Sequence, residues 1–293
     1  MQKWGFYIII LCAGFLPAVM MPEIAACDHS LTLNFGKTKP ETFVTLQQPL
    51  AISSITKNTA GLLIETTGLT GIHTGQVLPA SRLKLTAGAE IYQLSPTALM
   101  VNLARRQNNT GNRLITMLSL ELFPSDWPDQ YSGKILIKPW LNDCGTRIWS
   151  QSVILEVTVE VMPWIKLNCD SDSVTLERTS YSGLAIQNKP LCLKVASNSN
   201  WILYCRIQPP YQELIPQIKI SVVNSNRVQL LNHTGSLSNN RKNLALGTAT
   251  TVNQNYWCVL LLSLEIKDIT KIPARKYTVP LEFTAELWDG KTF

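Results

Sequence analysis

The feature that most constrains this 293-residue chain is an internal repeat. Several short segments recur in the same order at an offset of about 140 residues, which is typical of a duplicated structural unit. Three pairs carry the match: Pro49–Ser53 with Pro190–Lys194, Met117–Leu122 with Leu261–Ile266, and Tyr131–Ile137 with Tyr277–Phe283. The repeat therefore predicts two similar units that meet close to Lys166.

The spacing of apolar residues inside each unit predicts strands. Val153–Val161 and Cys258–Ile266 alternate along the chain so that one face is apolar, as half-buried antiparallel strands do. No window has the period of an amphipathic helix. We therefore predict an all-β fold with two tandem immunoglobulin-like β-sandwich domains, residues 27–165 and 166–293. A β-barrel is the alternative.

The N-terminus predicts export. Lys3 precedes the apolar run Phe6–Met21, which is too short to span a bilayer, and the small residues Ala25 and Ala26 follow. Residues 1–26 therefore read as a signal peptide cleaved after Ala26, with an uncleaved membrane anchor as the alternative. Export places the protein in the periplasm, at the cell surface or in the extracellular space.

The same cleavage would make Cys27 the first mature residue. Ile24–Cys27 resembles a bacterial lipobox, so lipidation of Cys27 is an alternative that would attach the protein to a membrane. Lipidation would leave five other cysteines after the signal peptide, and that odd number counts against it.

The cysteine count predicts disulfides. Of the seven cysteines, Cys12 is lost with the signal peptide, and an even number in an exported chain predicts three bridges. Cys205 and Cys258 fall on the apolar faces of their strands, so we pair them with each other. That leaves Cys169–Cys192 on an outer face and Cys27–Cys144 in the first unit. The order Cys192, Trp201, Cys258 resembles the immunoglobulin pattern, so a Cys192–Cys258 bridge stays open as an alternative.

Catalytic chemistry finds no support in the sequence. The three histidines, His29, His73 and His233, lack metal-ligand spacing, and there is no Gly-x-Ser-x-Gly elbow. We therefore predict no catalytic, cofactor-binding or metal-binding residues, no cofactor and no enzymatic activity. Only 16% of residues are charged and the net charge is +6, without a basic stripe, so we expect no nucleic-acid partner.

Eight tryptophans raise the question of a carbohydrate platform, because exposed indoles can stack on flat ligands. Six of them are scattered along the chain and are interpreted as core and turn packing: Trp127, Trp140, Trp149, Trp164, Trp257 and Trp288.

The order of short sequence motifs along this chain resembles the order found in a class of exported bacterial envelope proteins built from tandem β-sandwich units. The resemblance is carried by Phe35-Gly36, the two Pro-Leu strands, the turn Ser197–Trp201 and the segment Tyr131–Gly133. More loosely, the chain is similar to fimbrial subunits and two-domain pilus adhesins.

The resemblance implies a non-enzymatic envelope or surface protein, structural or adhesive and pilus-associated. Its partners would be other envelope or surface proteins, or a host or surface ligand. A carbohydrate-binding module or accessory of an exported hydrolase is the alternative. In fimbrial subunits one subunit's strand completes another's sheet. Here both halves hold a full strand set, which argues against strand donation.

Overall fold

The computed structural model describes residues 29–52, 59–87, 89–103, 114–178, 185–187, 189–208, 218–226, 228–231, 234–236, 240–249, 257–266 and 280–288. These residues form strands, one 3₁₀ turn at Ala80–Arg82 and no α-helix, which confirms the predicted all-β class. No helix in these ranges could cross a membrane. The predicted signal peptide and Cys27 lie outside the described residues.

The first strand group covers residues 29–161. Its strands are β1 (His29–Thr38), β2 (Val44–Ile52), β3 (Thr59–Thr66), β4 (Leu69–Gly71), β5 (Val77–Leu78), β6 (Leu83–Ala87), β7 (Glu90–Gln93), β8 (Leu99–Asn102), β9 (Leu114–Leu122), β10 (Asp129–Asp143), β11 (Thr146–Trp149) and β12 (Val153–Val161).

The second strand group covers residues 165–287. Its strands are β13 (Ile165–Cys169), β14 (Leu176–Arg178), β15 (Ala185–Gln187), β16 (Leu191–Ser197), β17 (Trp201–Ile207), β18 (Ile218–Ser225), β19 (Val228–Leu230), β20 (Thr234–Ser236), β21 (Lys242–Gly247), β22 (Cys258–Ile266) and β23 (Leu281–Leu287).

The first group forms two sheets. An eight-stranded sheet has the order β1-β12-β10-β3-β8, with β11 and β4 also paired to β10 and β5 paired to β4. A four-stranded sheet has the order β2-β9-β6-β7. Strand β1 runs parallel to β12, whereas β10 is antiparallel to both β12 and β3. The long strand β10 is therefore covered on both sides.

The second group also forms two sheets. A seven-stranded sheet has the order β13-β16-β22-β15-β14, with β18 paired to β22 and β20 paired to β18. A four-stranded sheet has the order β19-β21-β17-β23. Strand β23 is thus the last strand of its sheet, and among the described residues only β17 pairs with it.

The alternating patterns place the cores where the sequence predicts them. Along β12 every second residue from Val153 to Val161 is buried, and β22 buries Cys258, Leu260, Leu262 and Leu264. One apolar cluster is built from residues 33–161 and a separate one from residues 191–264. Apolar burial between facing sheets stabilises each group. The boundaries of the predicted domains, 27–165 and 166–293, remain a prediction.

Buried hydrogen bonds join the two strand groups at their connection. The Asn198 side chain, fully buried, accepts the Trp164 N–H at 2.9 Å and donates to the backbone oxygens of Asp126 and Met162 at 3.0 and 3.1 Å. The Trp164 indole N–H donates to the carbonyl oxygen of Pro124 at 3.2 Å. Because a buried polar group left unpaired is costly, these bonds fix the connection.

Candidate protein-interaction site

The most distinctive feature of the second strand group is the side of β23 on which no described strand pairs, which we call the free side of β23. Its ladder with β17 runs without a register shift from Ile207 opposite Leu281 to Trp201 opposite Leu287. The Gln208 N–H donates to the Pro280 oxygen at one end of this ladder, and the Trp288 N–H donates to the Asn200 oxygen at the other.

These two hydrogen bonds fix the direction of every amide along β23. Hydrogen-bonded pairs alternate along an antiparallel ladder. The N–H groups of the even-numbered residues therefore point to β17. Those of the odd-numbered residues, Leu281, Phe283, Ala285 and Leu287, point to the side where no described strand pairs.

The same odd-numbered side chains form the apolar face of β23. Phe283 lies opposite the buried Cys205, and Leu281, Phe283 and Ala285 pack against the second core while staying only half-buried. The other face is polar: Arg206 Nη2 lies 2.7 Å from Glu282 Oε2, and Arg241 pairs with Glu286. Hydrogen bonds, chiefly from Arg206, lower the pKa of Glu282.

A second half-exposed apolar row lies next to β23 on the facing sheet. Strand β13 contacts β23 and pairs only with β16 among the described strands. Its residues Ile165, Leu167 and Cys169 pack partly against the second core, whereas Lys166 and Asn168 are exposed. Among the residues that the structure describes, no strand covers the second core along the β13–β23 side of the sandwich.

The first strand group shows what this side looks like when it is closed. There β10 pairs with β3 and β4 on one side and with β12 on the other. By the repeat, Ile135 and Ile137 of β10 correspond to Leu281 and Phe283, yet each is only 1% exposed. No described strand of the second group takes the place of β12. The prediction that both halves hold a full strand set stays a prediction.

The candidate disulfide residues are placed as follows. Cys205 and Cys258 lie in the second core, 0% and 1% exposed, on β17 and β22 of facing sheets, as their predicted inward faces require. Burial raises the pKa of the Cys205 thiol to about 12. Cys192 is half-buried on the other face of its sheet; burial, followed by the nearby Asp170 carboxylate, raises its pKa.

The prediction that Cys169 lies on the outer face of its sheet is wrong. Cys169 lies in register with Leu193 on the core side of the β13–β16 ladder, not on the outer face with Cys192. Cys192 and Cys258 also project from opposite faces of one sheet, which disfavours the immunoglobulin-type bridge.

Cys144 is exposed in the β10–β11 turn with φ 47°. It lies at the end of the sheet where β1 begins, because His29 is in register with Val153. No disulfide joins the described cysteines, and the pairings Cys205–Cys258, Cys169–Cys192 and Cys27–Cys144 stay predictions.

The backbone of His73 takes part in a turn contact that sequence reasoning missed. The Asp129 carboxylate accepts the backbone N–H of His73 and both the N–H and hydroxyl of Thr74, at 2.7–3.2 Å. Burial raises the pKa of Asp129, but these hydrogen bonds outweigh it, so the net shift is downward. This carboxylate holds the β4–β5 turn. Within the described ranges no three His, Cys, Asp or Glu residues converge on a metal position.

No family model and no curated protein matches this sequence. Solved structures are similar at low identity. A chain of the CsuC–CsuE chaperone–tip adhesion subunit pre-assembly complex from the archaic chaperone–usher Csu pili of Acinetobacter baumannii is 13% identical. Its TM-score is 0.42, and the match covers 89% of this chain and 99% of that one.

Two further similar structures concern CFA/I fimbriae. A mutant form of the enterotoxigenic E. coli adhesin CfaE is 12% identical with a TM-score of 0.31, over 89% of this chain and 94% of that one. A chain of a chaperone–tip adhesin complex in CFA/I fimbriae biogenesis is 12% identical with a TM-score of 0.30, over 90% and 97%. The similarity to fimbrial proteins is therefore loose.

Proposed function

We propose that this chain is a non-enzymatic, exported, pilus-associated protein of the bacterial envelope or surface. Its second strand group accepts an extended strand from a partner protein. The strongest support is that, among the described strands, β23 pairs only with β17. In addition, the apolar face of β23 is half-exposed.

The physical reason is that an unpaired strand edge is a template for another strand. The free N–H and C=O groups of β23 offer main-chain hydrogen bonds, which supply affinity. An added strand would also cover Leu281, Phe283 and Ala285, and burial of apolar surface stabilises the complex. Both contributions act at the same place, between β23 and β13.

The first strand group indicates what the incoming strand should look like. Strand β12 covers β10 with apolar residues at every second position, from Val153 to Val161, and the intervening positions are half-buried. We therefore expect the donor segment to have about the same length and the same alternation. The pockets for alternate side chains would provide its specificity.

The test supplies such a strand from the chain itself. A copy of Val153–Val161 is appended after Phe293 through a flexible Gly/Ser linker, and thermal unfolding is followed by calorimetry. We expect the copy to raise the unfolding midpoint of the second strand group and to leave that of the first unchanged. The matched control is the same extension carrying Val157→Asp and Val159→Asp in the copy only. A copy that fails to stabilise, or a control that stabilises equally, would contradict the proposal.

A further inference from the structure

The β10–β11 hairpin brings two tryptophans together. Trp140 and Trp149 are directly opposite each other in this antiparallel pair, so their side chains share one face of the eight-stranded sheet. This is the face away from the first core, to which Ile135 and Ile137 belong. Two of the tryptophans that are scattered along the sequence are therefore neighbours in the fold.

Two more side chains complete a patch on that face. The Arg147 guanidinium lies 5.0 Å from the Trp140 ring centroid, and its Nη1 lies 3.6 Å from the Met100 sulfur. Trp149 is 48% exposed and Met100 is 41% exposed, whereas Trp140 is buried beneath them. We call Trp140, Trp149, Arg147 and Met100 the indole patch.

The charge of Arg147 is uncompensated within the described part of the chain. Two other described arginines stack on a ring, Arg82 on Phe123 and Arg241 on Tyr204, and each also forms an ion pair with a carboxylate. Arg147 has the ring but no described carboxylate within ion-pair distance. Apart from the Nη1 contact with the Met100 sulfur, the described residues leave its guanidinium donors for an external anion, and planar carboxylates are their best match.

The patch lies at the end of the first strand group that is remote from the second. Strand β10 begins at Asp129, opposite Val161, where the chain leaves for β13. It ends at Asp143, and the indole patch occupies this far end together with β11. A ligand bound there would not meet the connection between the groups.

We propose that the indole patch binds a sugar residue that carries a carboxylate, within an acidic glycan. The C–H groups of a pyranose ring, which bear partial positive charge, would lie on the negative face of the Trp149 indole. The carboxylate would accept hydrogen bonds from Arg147. A peptide of acidic residues alone would satisfy Arg147 but offers no ring to lie on the indole, whereas the sugar fits both groups. The proposal does not require the free side of β23, so each can fail without the other.

The test uses two pairs of sugars on the full exported chain, monitored by calorimetry and tryptophan fluorescence. Trigalacturonate and 3′-sialyllactose are the acidic members, and methyl-esterified trigalacturonate and lactose are the neutral ones. We expect at least one acidic sugar to bind and its neutral counterpart to bind about tenfold more weakly or worse, since hydrogen bonds to charged groups are strong.

Three variants assign the effect to the patch. Trp149→Ala should abolish binding, and Arg147→Gln should remove the preference for the acidic sugar. Arg241→Gln, the matched control at a ring-stacked arginine that has a carboxylate partner, should leave binding unchanged. Circular dichroism of each variant verifies its fold. The proposal is overturned if neither acidic sugar binds, if neutral sugars bind equally well, or if hexaglutamate binds as tightly as the sugars.

Discussion

Two tryptophans of this chain pack against a glycine on the neighbouring strand. Trp140 is in register with Gly61, and Trp201 with Gly247. A methyl group on Gly61 would lie 2.7 Å from the Trp140 ring, and one on Gly247 only 2.1 Å from the Trp201 ring. Each strand group thus uses the space left by a missing side chain to seat an indole. Both indole N–H groups are buried without a partner among the described residues.

The first prediction concerns this close approach. Gly247→Ala should lower the free energy of unfolding by about 1–3 kcal/mol, because the new methyl group overpacks against the fully buried Trp201. Denaturant unfolding gives the value. Gln229→Ala, at an exposed side chain of the adjacent β19, is the control and should change it by less than about 0.5 kcal/mol. Equal effects of the two substitutions would show that the Trp201–Gly247 contact is not tight.

A second prediction concerns the thiols of the reduced protein. Cys144 should react quickly with an alkylating reagent because it is exposed, and Cys192 more slowly. Cys205 should react only after unfolding, since it is buried and its pKa is raised to about 12, which leaves little thiolate at pH 8. Mass mapping after a timed alkylation measures this order. Rapid labelling of Cys205 in the folded protein would contradict its placement in the second core.

Individual strands were predictable from the sequence where apolar and polar residues alternate within one short segment. The alternation over Val153–Val161 and Cys258–Ile266 gave both bounds and faces, and the inward faces of Cys205 and Cys258 are confirmed. Which strands pair with each other was not predictable, because period-two alternation shows which face of a strand is apolar but not which strand lies beside it. The open side of β23 and the Trp140–Trp149 pair both depend on such neighbours.

A third prediction compares corresponding residues in β10 and β23. Ile135→Ala should cost about 2–5 kcal/mol, since Ile135 is fully enclosed. Leu281→Ala should cost clearly less in the chain alone, because Leu281 is only half-buried. When the β12 copy is appended after Phe293, the cost of Leu281→Ala should rise toward that of Ile135→Ala. Calorimetry decides between the outcomes on five proteins: the unmodified chain, its Ile135→Ala and Leu281→Ala variants, the chain with the copy, and that chain with Leu281→Ala. A cost of Leu281→Ala that is the same with and without the copy would argue against closure at β23.

At the scale of the full chain, the two strand groups have separate sheets and separate cores but share the buried bonds of Asn198. The repeat predicts two domains, which stays a prediction, whereas the Asn198 junction could not be foreseen from the sequence. Asn198 contacts backbone atoms of Asp126, which is far away in the sequence. The predicted domains 27–165 and 166–293 can be tested by separate expression, with cooperative unfolding of each as the expected result.

A fourth prediction follows from that junction. Asn198→Ala should lower stability by about 1–3 kcal/mol, because the Trp164 N–H loses its acceptor in a buried position. It should also move the unfolding transitions of the two strand groups further apart. Asn226→Ala removes the acceptor for the Val259 N–H at an exposed site and is the control. If both variants unfold alike, Asn198 does not couple the groups.

The open side of β23 is tested most directly by amide hydrogen exchange, resolved residue by residue with NMR. In the chain alone, the amides of Glu282, Thr284 and Glu286 should be protected by β17, whereas those of Leu281, Phe283 and Ala285 should exchange rapidly. With the β12 copy appended, the second set should become protected as well. Equal protection of both sets in the unmodified chain would mean that β23 is already covered, and it would contradict a strand-accepting role.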